Sequence, residues 1–471
     1  MRTYIVLIAT ATVVIGLTLF VFIADQQPEE VVSEGEVQSL ELKNGMKVVV
    51  QENRRAPVVV TQVWYRVGGS YERAGITGIS HVLEHMMFKG TEEMPAGKFS
   101  EVIAEHGGRE NAFTSKDYTA YFQRISNEHL ELCLSLEADR MRNLLLSEDE
   151  FLKEIEVVKE ERRLRTDDKP TSLTYERFYA SAFANNPYRK PIIGWMEDLN
   201  SMDIDDLREW YQTWYAPNNA ILVVVGDVRA EEVFSMAKEY FASLKPADIP
   251  ELKPRTEARQ YGIQRVAVKV PAKIPFLVMG YKVPVLNTAD NSEEVYALEL
   301  LAGLLDGGNS SRFSKNLVRG SQLATSVSAN YNLYALHDSL FTLSAIPASG
   351  VSTEQMESAI IEQITEIQQE PPTEAELARV KAQVVASSVY EQDSSFYQAM
   401  KIGILETVGL GWATMDEYVE RINAVTAEQV QHVAQKYFVE DQLTVAVLVP
   451  QPIDGQTLAG DALGAGDRHA H

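Results

Sequence analysis

Residues 75–91 read G-I-T-G-I-S-H-V-L-E-H-M-M-F-K-G-T, and within them His81, Glu84 and His85 form an H-x-x-E-H pattern. A helix turns by about 100° per residue, so Ile79, Val82, Leu83, Met86 and Met87 share one face and His81, Glu84 and His85 the opposite face. Two imidazoles one turn apart have the reach a single Zn²⁺ needs. The Glu between them is placed to take a proton from a zinc-polarised water. The order inverts the commoner H-E-x-x-H and is itself a zinc-peptidase signature. The same triple also suits a polar outer face that carries two His by chance. A third ligand has to decide between the readings.

The spacing predicts a long helix over 148–165, whose apolar face is set by Phe151, Ile155 and Val158. Glu154 and Glu161 fall almost on top of one another, two turns apart, on the flank of that buried side. Glu156 and Glu160 fall on the wet side. A carboxylate facing a core is costly unless charge or hydrogen bonds meet it, and a dication would meet it. Glu161 is therefore the candidate third ligand, and Glu154 a candidate acceptor for an imidazole N–H. The competing reading is a solvated acidic helix partnered by Arg162, Arg163 and Arg165.

Elements must bring these residues together, and composition allows it. The chain has 471 residues, 45% hydrophobic and 23% charged, enough for two or more domains. A net charge of -24 argues against nucleic acid, which wants a Lys/Arg surplus. A lone cysteine, Cys133, excludes an internal disulfide and sits in an apolar helical run. Residues 4–23 carry no charge and are long enough to span a bilayer. Arg2 before them and Asp25, Glu29 and Glu30 after them direct the rest of the chain outward, away from the cytoplasm. No clear cleavage site follows, which favours an uncleaved signal anchor over a cleaved signal peptide. In a Gram-negative bacterium the catalytic part would face the periplasm.

The segments then expected are an anchor over 1–25, a polar tether over 26–36, a first domain over 37–244, a linker over 245–257 and a second domain over 258–450. Residues 451–471, rich in Gly, Ala and Asp, read as a disordered tail. In the first domain, 37–50 reads as a hairpin turning at Asn44-Gly45, and 58–67 and 111–124 read as strands. Both halves close on one unit: helix, aromatic pair (Trp214-Tyr215; Tyr437-Phe438), short turn, apolar strand. This echo predicts an internal duplication of a unit of roughly 200 residues.

These residues resemble the pitrilysin-type zinc metallopeptidases, in the branch that includes mitochondrial processing peptidase and small bacterial zinc proteases. The resemblance rests on H-x-x-E-H, the Glu154/Glu161 pair, Gly68-Gly69-Ser70, Phe88-Lys89-Gly90-Thr91, Asn111-Ala112-Phe113-Thr114 with Asp117 and Tyr118, and residues 307–313. It implies an α/β (α+β) fold of two duplicated domains, each a mostly antiparallel sheet backed by helices. It implies one Zn²⁺ held by His81, His85 and Glu161, with Glu84 as general base. It also implies an extended peptide substrate bound along Asn111, Ala112 and Phe113 by edge-strand pairing. One departure stands out. Active members carry an Arg and, seven residues on, a Tyr in the second half, which steady the oxyanion; here those positions are Val318 and Thr325. Arg319 and Tyr331 are out of register. The departure implies a homologous partner chain that supplies the pair, in a heterodimer, with a homodimer as the other arrangement. The alternative function is a non-catalytic assembly subunit, against which stands the full set of His81, Glu84, His85 and Glu161.

Overall fold

β-Branched runs of alternating facing become two sheets in the computed structural model, which describes residues 31–34 and 37–453. The first sheet has seven strands: β1 (Val31–Glu34), β2 (Val37–Glu41), β3 (Lys47–Glu52), β4 (Val58–Tyr65), β5 (Arg109–Thr114), β6 (Thr119–Ser126) and β7 (Ala220–Gly226), in the order β1-β2-β3-β7-β4-β6-β5. The second has five: β8 (Gln264–Pro271), β9 (Phe276–Val283), β10 (Ala324–Asn330), β11 (Ser339–Pro347) and β12 (Leu443–Gln451), in the order β10-β11-β9-β12-β8. Read from β3 and from β8, the two orders are the same. In each, the last strand inserts between the first two, parallel to one and antiparallel to the other. All other pairings are antiparallel.

Successive residues of a strand face opposite sides, and both sides here are apolar. Val48 and Val50 enter the main core of the first sheet, with Leu83, Leu134, Leu207 and Phe241 from its own helices. Val49, Trp64, Ile221, Val223 and Val225 face the other way, against Ala399 and Ile402 of the helix Ser395–Thr407. The second sheet repeats this. Its main core includes Leu301, Ile360 and Val433, and its other face receives Phe178 and Ala182 of the helix Pro170–Ala182. Each half thus lends one helix to the other half's sheet.

Several expectations need correction. The run 111–124 is a hairpin rather than one strand: Ser115 N–H bonds the Tyr118 carbonyl at 2.8 Å, and the Ser-Lys-Asp turn chemistry breaks the Thr- and aromatic-rich run. Residues 31–34, expected within the tether, pair with β2 as an outer strand. The helix expected over 148–165 is α-helical over Glu148–Arg162 and continues as a π-helical turn. Between residues 245 and 257 there is neither helix nor strand. Residues 4–23 and the tail from 454 lie outside the described residues. Among the described residues, no helix is long and apolar enough to cross a membrane.

Candidate metal centre

The motif helix, Ile79–Met86, starts at Gly78, whose φ of 89° is left-handed. A Cβ there would lie 2.7 Å from the Ile193 carbonyl oxygen, so glycine is required. The first turn has no acidic residue, and the buried Glu72 supplies the cap from outside the helix. Its Oε2 accepts from Gly78 N–H at 2.8 Å and its Oε1 from Ser80 N–H at 3.0 Å. Burial pushes this carboxyl above the ordinary range, while the two N–H groups and the Lys190 charge oppose the shift. The acidic helix, Glu148–Arg162, is capped by the Ser147 hydroxyl, which accepts from Glu150 N–H. Three carboxylates in its first turn suit the helix dipole.

The two helices pack so that His81, His85 and Glu161 converge. One ligand atom from each lies within 4.8 Å of the others. His85 Nε2 is 3.4 Å from Glu161 Oε2, and His81 Nε2 is 3.9 Å from Glu161 Oε1. Ligands about 2 Å from a tetrahedral Zn²⁺ stand about 3.3 Å apart, so the two His–Glu separations come near that spacing and the set as a whole would draw together around an ion. Burial pushes the His81 imidazole down to about 3, with smaller contributions from His85 and Arg165, so it is neutral and its nitrogen can donate a lone pair. His85 Nδ1 faces Glu154 Oε2 at 3.3 Å, and Lys89 Nζ bonds Glu154 Oε1 at 2.6 Å. Arg165 pairs with Glu161 Oε1 at 2.5 Å. Two imidazole nitrogens and one carboxylate are the donor set of a catalytic zinc site with a fourth position open.

Glu84 lies beside this cluster. The Thr114 hydroxyl donates to its Oε2, and burial raises its carboxyl above the usual value. Thr114 is the last residue of β5, which closes the sheet order and pairs only with β6 among the described residues. The outer edge of β5 therefore leads toward Glu84. Asn111 is exposed on that strand, its Oδ1 accepting from Ala112 N–H at 2.9 Å. Ala112 and Phe113 are half-buried, and the Phe113 ring meets Trp64 edge-on at 5.4 Å.

Residues 47–195 match the family model described as insulinase (peptidase family M16), and residues 201–384 match the one described as peptidase M16 inactive domain. The zinc protease PqqE of Helicobacter pylori is 34% identical over 422 residues, covering 88% of this chain and 93% of that protein. The chain belongs to peptidase family M16. A crystal structure of a protease from Helicobacter pylori matches the M16 chain with a TM-score of 0.84 at 32% identity, covering 88% of this chain and all (100%) of that one. A probable mitochondrial-processing peptidase subunit beta of Arabidopsis thaliana is 24% identical over 431 residues, covering 89% of this chain and 80% of that protein.

In this M16 chain the second half holds no cluster of that kind among the described residues. Val318 lies on the π-helical turn Phe313–Gly320, packed against the second core, and Thr325 is exposed on β10. Arg319 is engaged by the Asn309 carbonyl, and Tyr331 Oη donates to the Pro284 carbonyl at 2.6 Å. Three residues at the site had no role toward the metal ligands or Glu84 assigned from sequence. Thr114 was visible within N-A-F-T, and Lys89 within F-K-G-T, but neither carried a signal of its partner. Glu72 lies nine positions before His81 and could have been found only by asking what caps a helix that opens G-I-S.

Proposed function

We propose that this chain is a zinc-dependent endopeptidase acting on unfolded peptides, with His81, His85 and Glu161 as metal ligands and Glu84 as general base. The observation that carries the reading is the convergence of one ligand atom from each of those three residues within 4.8 Å, beside the half-buried carboxyl of Glu84. A zinc ion bound there would supply a Lewis acid that makes water a nucleophile near neutral pH. With the Thr114 hydroxyl on Oε2, Glu84 has Oε1 to take the proton of the attacking water and hand it to the leaving amine. A carboxyl raised by burial suits both halves of that exchange. Glu154 orients His85 by accepting its Nδ1–H. An extended peptide lies along Asn111, Ala112 and Phe113 and pairs with the free edge of β5. The halves 37–244 and 258–450 enclose it.

The reading extends to the chain's setting. Residues 4–23 anchor it in a membrane with the catalytic part outside the cytoplasm, as their length and flanking charges support. A homologous partner chain supplies the Arg/Tyr pair that Val318 and Thr325 lack. One relative is named as a subunit of a processing peptidase, which suits a two-chain enzyme.

Glu84→Ala tests the mechanism: zinc stays bound and cleavage of a labelled peptide is lost. Retained cleavage in that variant defeats the assignment. Zinc content separates this reading from a non-catalytic assembly subunit, which need hold none. Full peptidase activity from the purified chain alone would remove the need for a heterologous partner.

A further inference from the structure

We propose that Lys89 is a positioning residue of the metal site: it commits Glu154 to the His85 ring and so leaves Glu161 as the metal-binding carboxylate. The inference rests on the zinc reading above.

Two carboxylates on one helix face approach one imidazole. Glu154 stands 3.3 Å from His85 Nδ1, and Glu161 stands 3.4 Å from His85 Nε2. Nothing in their chemistry distinguishes them; their neighbours do. Lys89 Nζ lies 2.6 Å from Glu154 Oε1, with the Lys89 side chain 28% exposed. The cation on Glu161, Arg165, is 70% exposed and free to give way to a metal.

The lysine is held where it is. Its N–H bonds the Met86 carbonyl at 2.9 Å, in the turn that ends the motif helix. Gly90 follows with a left-handed φ of 98°, where a Cβ would lie 2.6 Å from Ala96 N. The Gly90 carbonyl then accepts from Leu145 N–H at 3.2 Å. With its backbone pinned on both sides, the Lys89 ammonium occupies one oxygen of Glu154 and turns the other toward His85.

An imidazole that donates from Nδ1 presents its lone pair at Nε2, the side of Glu161. His81 has no such support, because its Nδ1 is buried and without a hydrogen-bond partner among the described residues. Of the two imidazoles, it is His85 whose Nδ1 is met by a side chain, Glu154, and through Glu154 by Lys89.

The test measures affinity for Zn²⁺ alone, by chelator competition, on the full chain stripped of metal. Lys89→Met is expected to weaken zinc binding by about 10–100-fold. Lys89→Arg should recover most of that loss, since a purely structural space-filler would not need charge. Lys89→Met should add little to Glu154→Gln, because both act through one ring. Lys89→Gln decides the matter if Lys89→Met does not fold. Wild-type affinity in a folded, uncharged Lys89 variant overturns the inference, as does full additivity with Glu154→Gln. If the wild-type chain binds no zinc, the functional reading fails instead.

Discussion

Gly403 lies against the indole of Trp64, and a side chain at Gly403 would collide with that ring. Trp64 is on β4 of the first sheet and Gly403 on the helix that the second half lends to it. Trp64 Nε1 donates to Gln62 Oε1 at 2.9 Å, which fixes the ring plane. The reciprocal contact uses the same device reversed. Phe178 of the first half's helix sits over Gly280 on β9, where a Cβ would lie 2.5 Å from the ring.

Gly403→Ala is expected to destabilise the protein by about 1–3 kcal/mol through overpacking. Gly280→Ala should do the same at the other junction. Denaturant unfolding measures both. A variant as stable as wild type would mean that the helix shifts freely on the sheet.

A second junction is polar. The Tyr188 hydroxyl donates to Asp117 and accepts from Leu336 N–H at 3.0 Å and His337 N–H at 3.2 Å. Leu336 N–H also reaches Asp117 Oδ2 at 3.2 Å, and the Ser70 hydroxyl donates to Oδ1 at 2.9 Å. Burial raises the Asp117 carboxyl, with these bonds opposing it. Tyr188→Phe takes a donor from the buried Asp117 and an acceptor from the half-buried His337 N–H, at a cost of about 1–3 kcal/mol. Hydrogen exchange should speed up at residues 336 and 337. Unchanged exchange there would contradict the assigned contact.

The third prediction concerns pH in the metal-free protein. The His81 imidazole is held down to about 3 by burial, against 6.5 in the unfolded chain. Below 6.5 the unfolded state takes up a proton that the folded state refuses until about 3. Its contribution to stability is therefore present above 6.5 and falls as pH drops through that window. The expected loss is about 1.4 kcal/mol for each pH unit. Chelator-treated wild type and His81→Phe, compared on both sides of pH 6.5, isolate the effect. Parallel stability curves for the two proteins would refute it.

The cluster was legible because helical periodicity leaves little freedom: residues at i and i+4 must share a face, and Glu154 and Glu161 must align. The common strand order was foreshadowed by the aromatic pairs Trp214-Tyr215 and Tyr437-Phe438 before the last strand of each half. Lys89 was not legible, because its reach depends on a left-handed turn at Gly90 that sequence does not reveal. Nor was the exchange of helices. Phe178 and Ile402 look like any core residues, and nothing near them in the chain names the sheet they will cover.

That exchange has a consequence for biosynthesis. The face of the first sheet bearing Trp64, Ile221, Val223 and Val225 is closed by residues 395–407, far downstream. A nascent chain that has finished its first sheet still shows this apolar surface to the solvent until most of the polypeptide has emerged. Early release, or truncation at the segment between the sheets, would yield a sticky intermediate, so a holding chaperone should be captured most strongly on chains that stop short of residue 395.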